Sequence, residues 1–288
     1  SGGLTDEAVN FAATNGTATS GLTNSTTQDT NVAIVISGGD APNVAQLNTI
    51  GAATAGTVTA SITGTAADLD GLTTASTDVI TATVSNAATV AQFNLIDAAT
   101  ATNVVLSGGL TDEAVNFAAT NGTATSGLTN STTQDTNVAI VISGGDAPNV
   151  AQLNTIGAAT AGTVTASITG TAADLDGLTT ASTDVITATV SNAATVAQFN
   201  LINAATSVAV VLAGGVSDTA AAYAATNGTT TAGTAAIKIQ DPNAVMTVSD
   251  AANVAQFNTI DDATSSAVVL SGGLTDEAVN FAATNGTA

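Results

Sequence analysis

The feature that most limits what this chain can become is its repetition. Residues 1–96 recur without a single change as residues 107–202, a period of 106. The segment SGGLTDEAVNFAATNGTA stands at 1–18, 107–124 and 271–288, and a diverged copy, AGGVSDTAAAYAATNGTT, stands at 213–230. The chain therefore reads as block 1 (1–106), block 2 (107–212), a shorter diverged block (213–270) and the start of the next block (271–288). Self-similarity at a fixed period signals one supersecondary unit built many times, each copy burying its apolar face against its neighbours.

A finer repeat lies inside each block. Val79-Ile80-Thr81-Ala82-Thr83-Val84 alternates with period two, which predicts a strand with Ile80, Ala82 and Val84 inward and Thr81 and Thr83 outward. Ser85 and Asn86 follow as turn or cap residues. Ala87, Val90, Phe93 and Ile96 then recur every three residues, along one side of a short helix. Asp97-Ala98-Ala99-Thr100 closes the unit. The same grammar joins Val32–Ile36 to Val44, Leu47 and Ile50, Val58–Ile62 to Leu69 and Leu72, and Val245–Val248 to Val254, Phe257 and Ile260.

The last apolar residues of the first five strands are Ile36, Ile62, Val84, Leu106 and Ile142, spaced 26, 22, 22 and 36 apart. A coil of about 22 residues is shorter than a conventional βαβ unit and matches one turn of a solenoid. The expected fold is a repeat solenoid of β/α coils with a parallel sheet and short helices. The alternative is an all-β solenoid in which the Val90-Phe93-Ile96 segment is bent strand; the three-residue spacing argues against it. The 36-residue step carries an insertion, including Gly122–Gln134, which reads as a loop or as one irregular extra strand, the loop being preferred. Outward Val35, Val105, Val141, Val211 and Val269 flank the inserts or the equivalent boundary, and are expected to be covered by an insert or by a neighbouring chain.

Composition then removes most chemistry. The chain has no His, Cys or Trp, and Lys238 is its only basic side chain against 22 carboxylates, for a net charge of -21. Without His there is no imidazole base and no Ser-His-Asp triad. Without His and Cys the usual zinc ligand sets are gone. One Lys does not clamp phosphates, and nucleic acid or an anionic membrane would be repelled. Carboxylate-pair chemistry survives on composition alone. Apolar runs such as Val32–Ile36 are far short of the roughly 20 residues of a helical span. No leader pattern opens the chain, which starts inside a repeat.

The residues that remain as candidates are few. Asp68-Leu69-Asp70-Gly71, repeated at 174–177, has the opening of a calcium loop without its later acidic positions. Asp40 after Gly38-Gly39 starts but does not complete a calcium-binding nonapeptide. Thr5-Asp6-Glu7 reads as a Thr N-cap with two acids in a first helical turn. N-glycosylation sequons stand at Asn15, Asn24, Asn121, Asn130, Asn227 and Asn285. The pairs Thr57/Thr59 and Thr81/Thr83 suggest a flat ice-binding face, but Val35 and Val105 take the equivalent place in other coils. The expected site list is empty: no catalytic, cofactor-binding or metal-ligating residue is assigned, calcium being the one cofactor left open.

The phrases TVTASITGTAADLDGLTTAST and VSNAATVAQFNLIDAAT resemble Ala/Thr-rich, lysine-poor repeat arrays of giant extracellular or cell-surface proteins of marine cyanobacteria. That resemblance implies an extracellular fibre, a cell-surface layer or an adhesin stalk. The expected function is structural, without catalysis, as part of a filament, fibre or surface layer; the alternative is an adhesin or a calcium-dependent spacer. The expected partners are other copies of the chain, head-to-tail or lateral, with no nucleic acid and no membrane insertion. The chain opens and closes within the same motif and carries no polar capping coil, which predicts continuation into further copies.

Overall fold

In a computed structural model of the protein, residues 2–39 and 41–282 are described. The chain packs as two compact parts, residues 1–145 with 158–163 and residues 146–157 with 164–288. The first runs β1 (Leu4–Asp6), α1 (Ala8–Phe11), α2 (Ser20–Gln28), β2 (Ile34–Ile36), α3 (Val44–Ala53), β3 (Val58–Gly64), α4 (Ala66–Leu69), β4 (Val79–Val84), α5 (Val90–Ala98), β5 (Val105–Leu106), β6 (Leu110–Asp112), α6 (Ala114–Phe117), α7 (Ser126–Gln134) and β7 (Ile140–Ile142). Then follow α8 (Val150–Ala159), β8 (Val164–Gly170), α9 (Ala172–Leu175), β9 (Val185–Val190), α10 (Val196–Ala204), β10 (Val216–Asp218), α11 (Ala220–Tyr223), α12 (Ala232–Gln240), β11 (Met246–Val248), α13 (Val254–Asp261), β12 (Val269–Leu270) and α14 (Ala278–Phe281). Strands and short helices alternate, and the strand pairing is parallel.

In the first part β1 to β5 pair in sequence order, and β6 pairs with β7. In the second part β8 pairs with β9, and β10, β11 and β12 pair in order. The alternation read from residues 79–84 holds: Ile80, Ala82 and Val84 are buried, as are Val90, Phe93 and Ile96 from α5 above them. Full burial of a side chain of that size is worth about 1.5–3 kcal/mol. The helix differs from expectation at its start. Ala87 is exposed, Ala88 makes a parallel bridge to Leu110, and Thr89 is the N-cap of α5. Helices with capping boxes at this place rule out the all-β alternative.

The insertion is the main correction. Residues expected as a loop form α7, and their counterparts form α2 and α12. Nothing in SGLTNSTTQ suggests a helix from propensity, since Gly, Ser, Thr and Asn all rank low. Tertiary and local bonds replace it. Thr125 accepts the Leu128 N–H as N-cap, Thr132 returns its hydroxyl to the Leu128 carbonyl, and Leu128 is fully buried.

The 36-residue step also contains an unexpected strand. After β5 the chain turns at Gly108-Gly109 and enters β6, where Leu110 lies opposite Ile140, 30 residues on. Gly109 has φ +73°, and a Cβ on Gly108 would stand 2.0 Å from the Asn86 carbonyl carbon. Only glycine permits both the left-handed turn and that approach. Gly214-Gly215 repeats the device against Asn192.

The outer face of the sheet is mixed. Thr5, Val35, Thr59 and Val79 lie side by side across β1 to β4, so Val interrupts any continuous Thr row. Val35, Val105, Val141, Val211 and Val269 are each 36–46% exposed. Among the described residues the inserts therefore do not cover them.

Candidate functional site

The polar side chains that the fold takes out of water are where chemistry would be sought, and they form one recurring set of clamps between neighbouring repeats. The first is the Gln of the Val-Ala-Gln motif. In α3 the Gln46 side-chain oxygen Oε1 accepts the Asn43 N–H at 3.1 Å, and Asn43 Oδ1 accepts the Gln46 N–H at 2.9 Å, closing a capping box. The amide end of Gln46 then donates to the Ala12 carbonyl at 2.9 Å, 34 residues back. Gln256 does the same to Ala224. Gln92 and Gln198 instead donate to the carboxylates of Asp70 and Asp176, both at 3.1 Å.

The second clamp is the Asp of the Thr-Asp-Glu motif. Asp112 Oδ1 accepts the Glu113 N–H and the Asn116 side-chain amide, tying Asp112, ahead of α6, to the third residue of that helix. Its Oδ2 accepts the Val90 N–H at 3.0 Å, at the start of α5 one repeat earlier. Asp218 and Asp276 bridge back to Val196 and Val254 in the same way. This corrects the expected role of Thr5-Asp6-Glu7. Thr5 and Asp6 lie in β1, Asp6 accepts the Glu7 N–H and the Asn10 side-chain amide, and Glu7 occupies the N-cap position without a side-chain capping bond. The Asn10 amide, and next the Glu7 N–H, hold the Asp6 carboxyl below the usual carboxylate range. Asp276 is lowered by Asn280 first, then by the N–H groups of Val254 and Glu277.

The third clamp closes strand starts. Asp78, 2% exposed, accepts the Val58 N–H at 2.7 Å with one oxygen and the Ala75 N–H at 2.9 Å with the other. Thr100 accepts the Ile80 N–H, and its hydroxyl lies 2.7 Å from the Ile80 carbonyl. At the insert this work passes to the end of α7: Gln134 accepts the Val104 N–H and Asp135 accepts the Leu106 N–H. That is the edge of β5 that β7 leaves unpaired by choosing β6. Among the described residues no buried side-chain nitrogen or oxygen lacks a partner.

The remaining candidates are spread over these roles. Asp68 is in the capping box of α4 with Thr65, its Oδ2 2.6 Å from the Thr65 hydroxyl, and Asp70 faces Gln92, so the two carboxylates serve different helices. Asp174 and Asp176 repeat this. Among the described residues no group of three His, Cys, Asp or Glu side chains is placed to hold a metal ion; Asp40 lies outside them. A cleft of about 500 Å³ is lined by Pro42, Asn43, Ile62, Thr63 and Asp68, with Asp68 the one carboxylate among its described lining residues. A second, also about 500 Å³, holds Lys238, Ile239, Thr259 and Asp262. Paired carboxylates facing one another across a substrate-sized gap are found in neither. Tyr223 takes the place of Phe11 and Phe117. Burial, and secondarily the Asp218 charge, raise its pKa, and its hydroxyl donates to the Thr247 carbonyl at 3.0 Å.

Sequence reasoning missed the Gln, Asp78 and Thr100 clamps. A signal was there: in the main helices Gln stands three positions after the Thr or Asn cap, as at Asn43/Gln46, Thr89/Gln92, Thr195/Gln198 and Asn253/Gln256, and Ala-Ala-Thr follows at 52–54, 98–100, 158–160 and 204–206. No family model matches the chain, and neither a curated protein nor a solved structure matches it.

Proposed function

We propose that the chain is a structural repeat protein whose β/α units stack as a solenoid in an extracellular filament, fibre or surface layer, without catalysis. One observation supports this above the rest. Most of the buried polar side chains join one repeat to another, at positions 20 to 34 residues apart, as Gln46, Thr74, Asp78 and Thr100 do. A chain organised this way gains stability from each added interface. The partner is a further copy of the same chain, since blocks 1 and 2 carry the same donors and acceptors and the shorter block keeps the Gln position and, as Ser-Asp, the Thr-Asp position. A cell-surface setting fits a chain with 22 acidic groups and no Cys.

The test is electron microscopy of the purified chain together with light scattering. Elongated particles heavier than one chain are expected. A monodisperse 27.4 kDa species at all concentrations would overturn the assembly reading.

A further inference from the structure

Five of the six N-glycosylation sequons lie in described residues, and the fold sorts them into two kinds. Asn15-Gly16-Thr17, Asn121-Gly122-Thr123 and Asn227-Gly228-Thr229 sit at exposed turn tips. Each tip is closed by an antiparallel bridge, Ala12 to Ala18 in the first block and its counterparts in the others. Asn24-Ser25-Thr26 and Asn130-Ser131-Thr132 are wound into α2 and α7. We propose that Asn15, Asn121 and Asn227 are acceptor sites for an N-linked glycan in the folded protein, and that Asn24 and Asn130 are not.

The argument is geometric. At each tip the N–H of the residue two positions on donates to the Asn carboxamide oxygen at 3.0 Å, from Thr17 to Asn15, Thr123 to Asn121 and Thr229 to Asn227. The carboxamide is thereby folded towards the Thr that completes the sequon, and an enzyme meets both on one side of the turn. The turn is rigid. Gly16 has φ +83°, its N–H donates to Ala13 at 2.8 Å, and its carbonyl accepts the Thr49 hydroxyl from α3 at 2.5 Å. Gly228 is held likewise by Thr259.

In a helix, residues two apart point about 200° away from one another around the axis. Asn24 and Thr26 therefore face opposite ways, as do Asn130 and Thr132. The Thr26 and Thr132 hydroxyls are also committed to the Leu22 and Leu128 carbonyls at 3.0 and 2.8 Å. Among the described residues the Thr17, Thr123 and Thr229 hydroxyls make no hydrogen bond.

In the transfer, the Asn Nδ2 forms a bond to the anomeric carbon of a sugar activated as its diphosphate. The anomeric C–O bond breaks, the diphosphate leaves with the electron pair, and one amide proton passes to a base of the transferase. The full-length folded chain is incubated with a soluble asparagine N-glycosyltransferase and a nucleotide-activated glucose, all variants carrying Asn285→Gln because that sequon lies outside the described residues. Intact mass counts the additions. Because blocks 1 and 2 share their peptides, Asn15→Gln, Asn24→Gln, Asn121→Gln, Asn130→Gln and Asn227→Gln assign them one by one. The peptide 8–28, carrying both kinds of sequon without the fold, sets the enzyme dose.

Three additions are expected, each lost with one turn Asn and none with Asn24 or Asn130. A helical sequon must first melt locally, so the turns run at least about ten-fold faster. Equal rates at Asn15 and Asn24 in the folded chain overturn the proposal. So does a folded chain left bare at its turns by a dose that modifies the peptide.

Discussion

At the scale of single residues, the chain is held by groups that each answer two neighbours. Gln46 is 3% exposed, completes a capping box and satisfies the Ala12 carbonyl. Gln46→Ala removes the reciprocal cap and leaves a buried carbonyl unpaired, a loss of about 2 kcal/mol. Chemical denaturation should show a lower midpoint, while Gln28→Ala at the exposed end of α2 stays within about 0.5 kcal/mol of the parent. Asp6 offers a pH test. Its carboxyl titrates below the unfolded value of about 3.9. Its contribution is therefore complete above that value and disappears as pH falls through the lower folded one. Asn10→Ala removes the first cause of the lowering. The melting-temperature gap between Asn10→Ala and the parent should be constant near neutrality and close in acid below about pH 4.

At the scale of elements, identical sequences acquire different neighbours. α2 and α7 share SGLTNSTTQ. A Cβ on Gly127 would lie 2.2 Å from Val90 Cγ1 of α5, whereas one on Gly21 would meet only the Thr19 hydroxyl, at 3.7 Å. Gly21→Ala should therefore stabilise the chain by about 0.5–1 kcal/mol, through helix propensity alone. Gly127→Ala should destabilise it by about 1–3 kcal/mol through overpacking, and Val90→Ala should relieve most of that cost. Thermal unfolding of the two single variants and the double variant decides this; a gain at both glycines would refute the packing of α7 on α5. The strand and main helix of each repeat were legible because their apolar periods, two and three, are written in residues 79–96. The insert helix was not. Its one large buried apolar side chain, Leu128, sets no period, and the cap and Ser/Thr hydroxyl bonds that hold the helix are written in no apolar pattern; α2 makes the same bonds with only the Thr19 hydroxyl near Gly21.

At the scale of the whole molecule, charge opposes assembly. A net charge of -21 with one cation leaves carboxylates without counter-charges of their own, so copies repel one another at low salt. Screening should raise the melting temperature and promote association as ionic strength rises towards physiological values, where the Debye length is about 8 Å. Calcium is expected to act as any salt does, because Asp68, Asp70 and Asp112 already accept hydrogen bonds within the fold. Calorimetry in calcium chloride and in sodium chloride at equal ionic strength should give equal shifts. A calcium-specific rise of several degrees would reveal a site made from these carboxylates.

The sequence by itself determined the repeat, the main strand and main helix of each repeat unit, the core of Ile80, Ala82, Val84, Val90, Phe93 and Ile96, and the loss of imidazole, thiol and phosphate chemistry. These depend on composition and on short periods, which are local. The tertiary structure alone decided that β7 pairs with β6 rather than β5, that the insert is helical, and that one Asp ties the start of its own helix to the helix one repeat earlier. It also decided which Asn of a repeated sequon stands on a turn. The strand pairing and the clamps depend on which backbone group, some 20 to 34 residues away, is left without a partner, while the insert helix and the sequon turns depend on side-chain bonds two to four residues long that no apolar period announces. A buried donor or acceptor must be satisfied, but the sequence does not say which one will be buried until the repeats have packed.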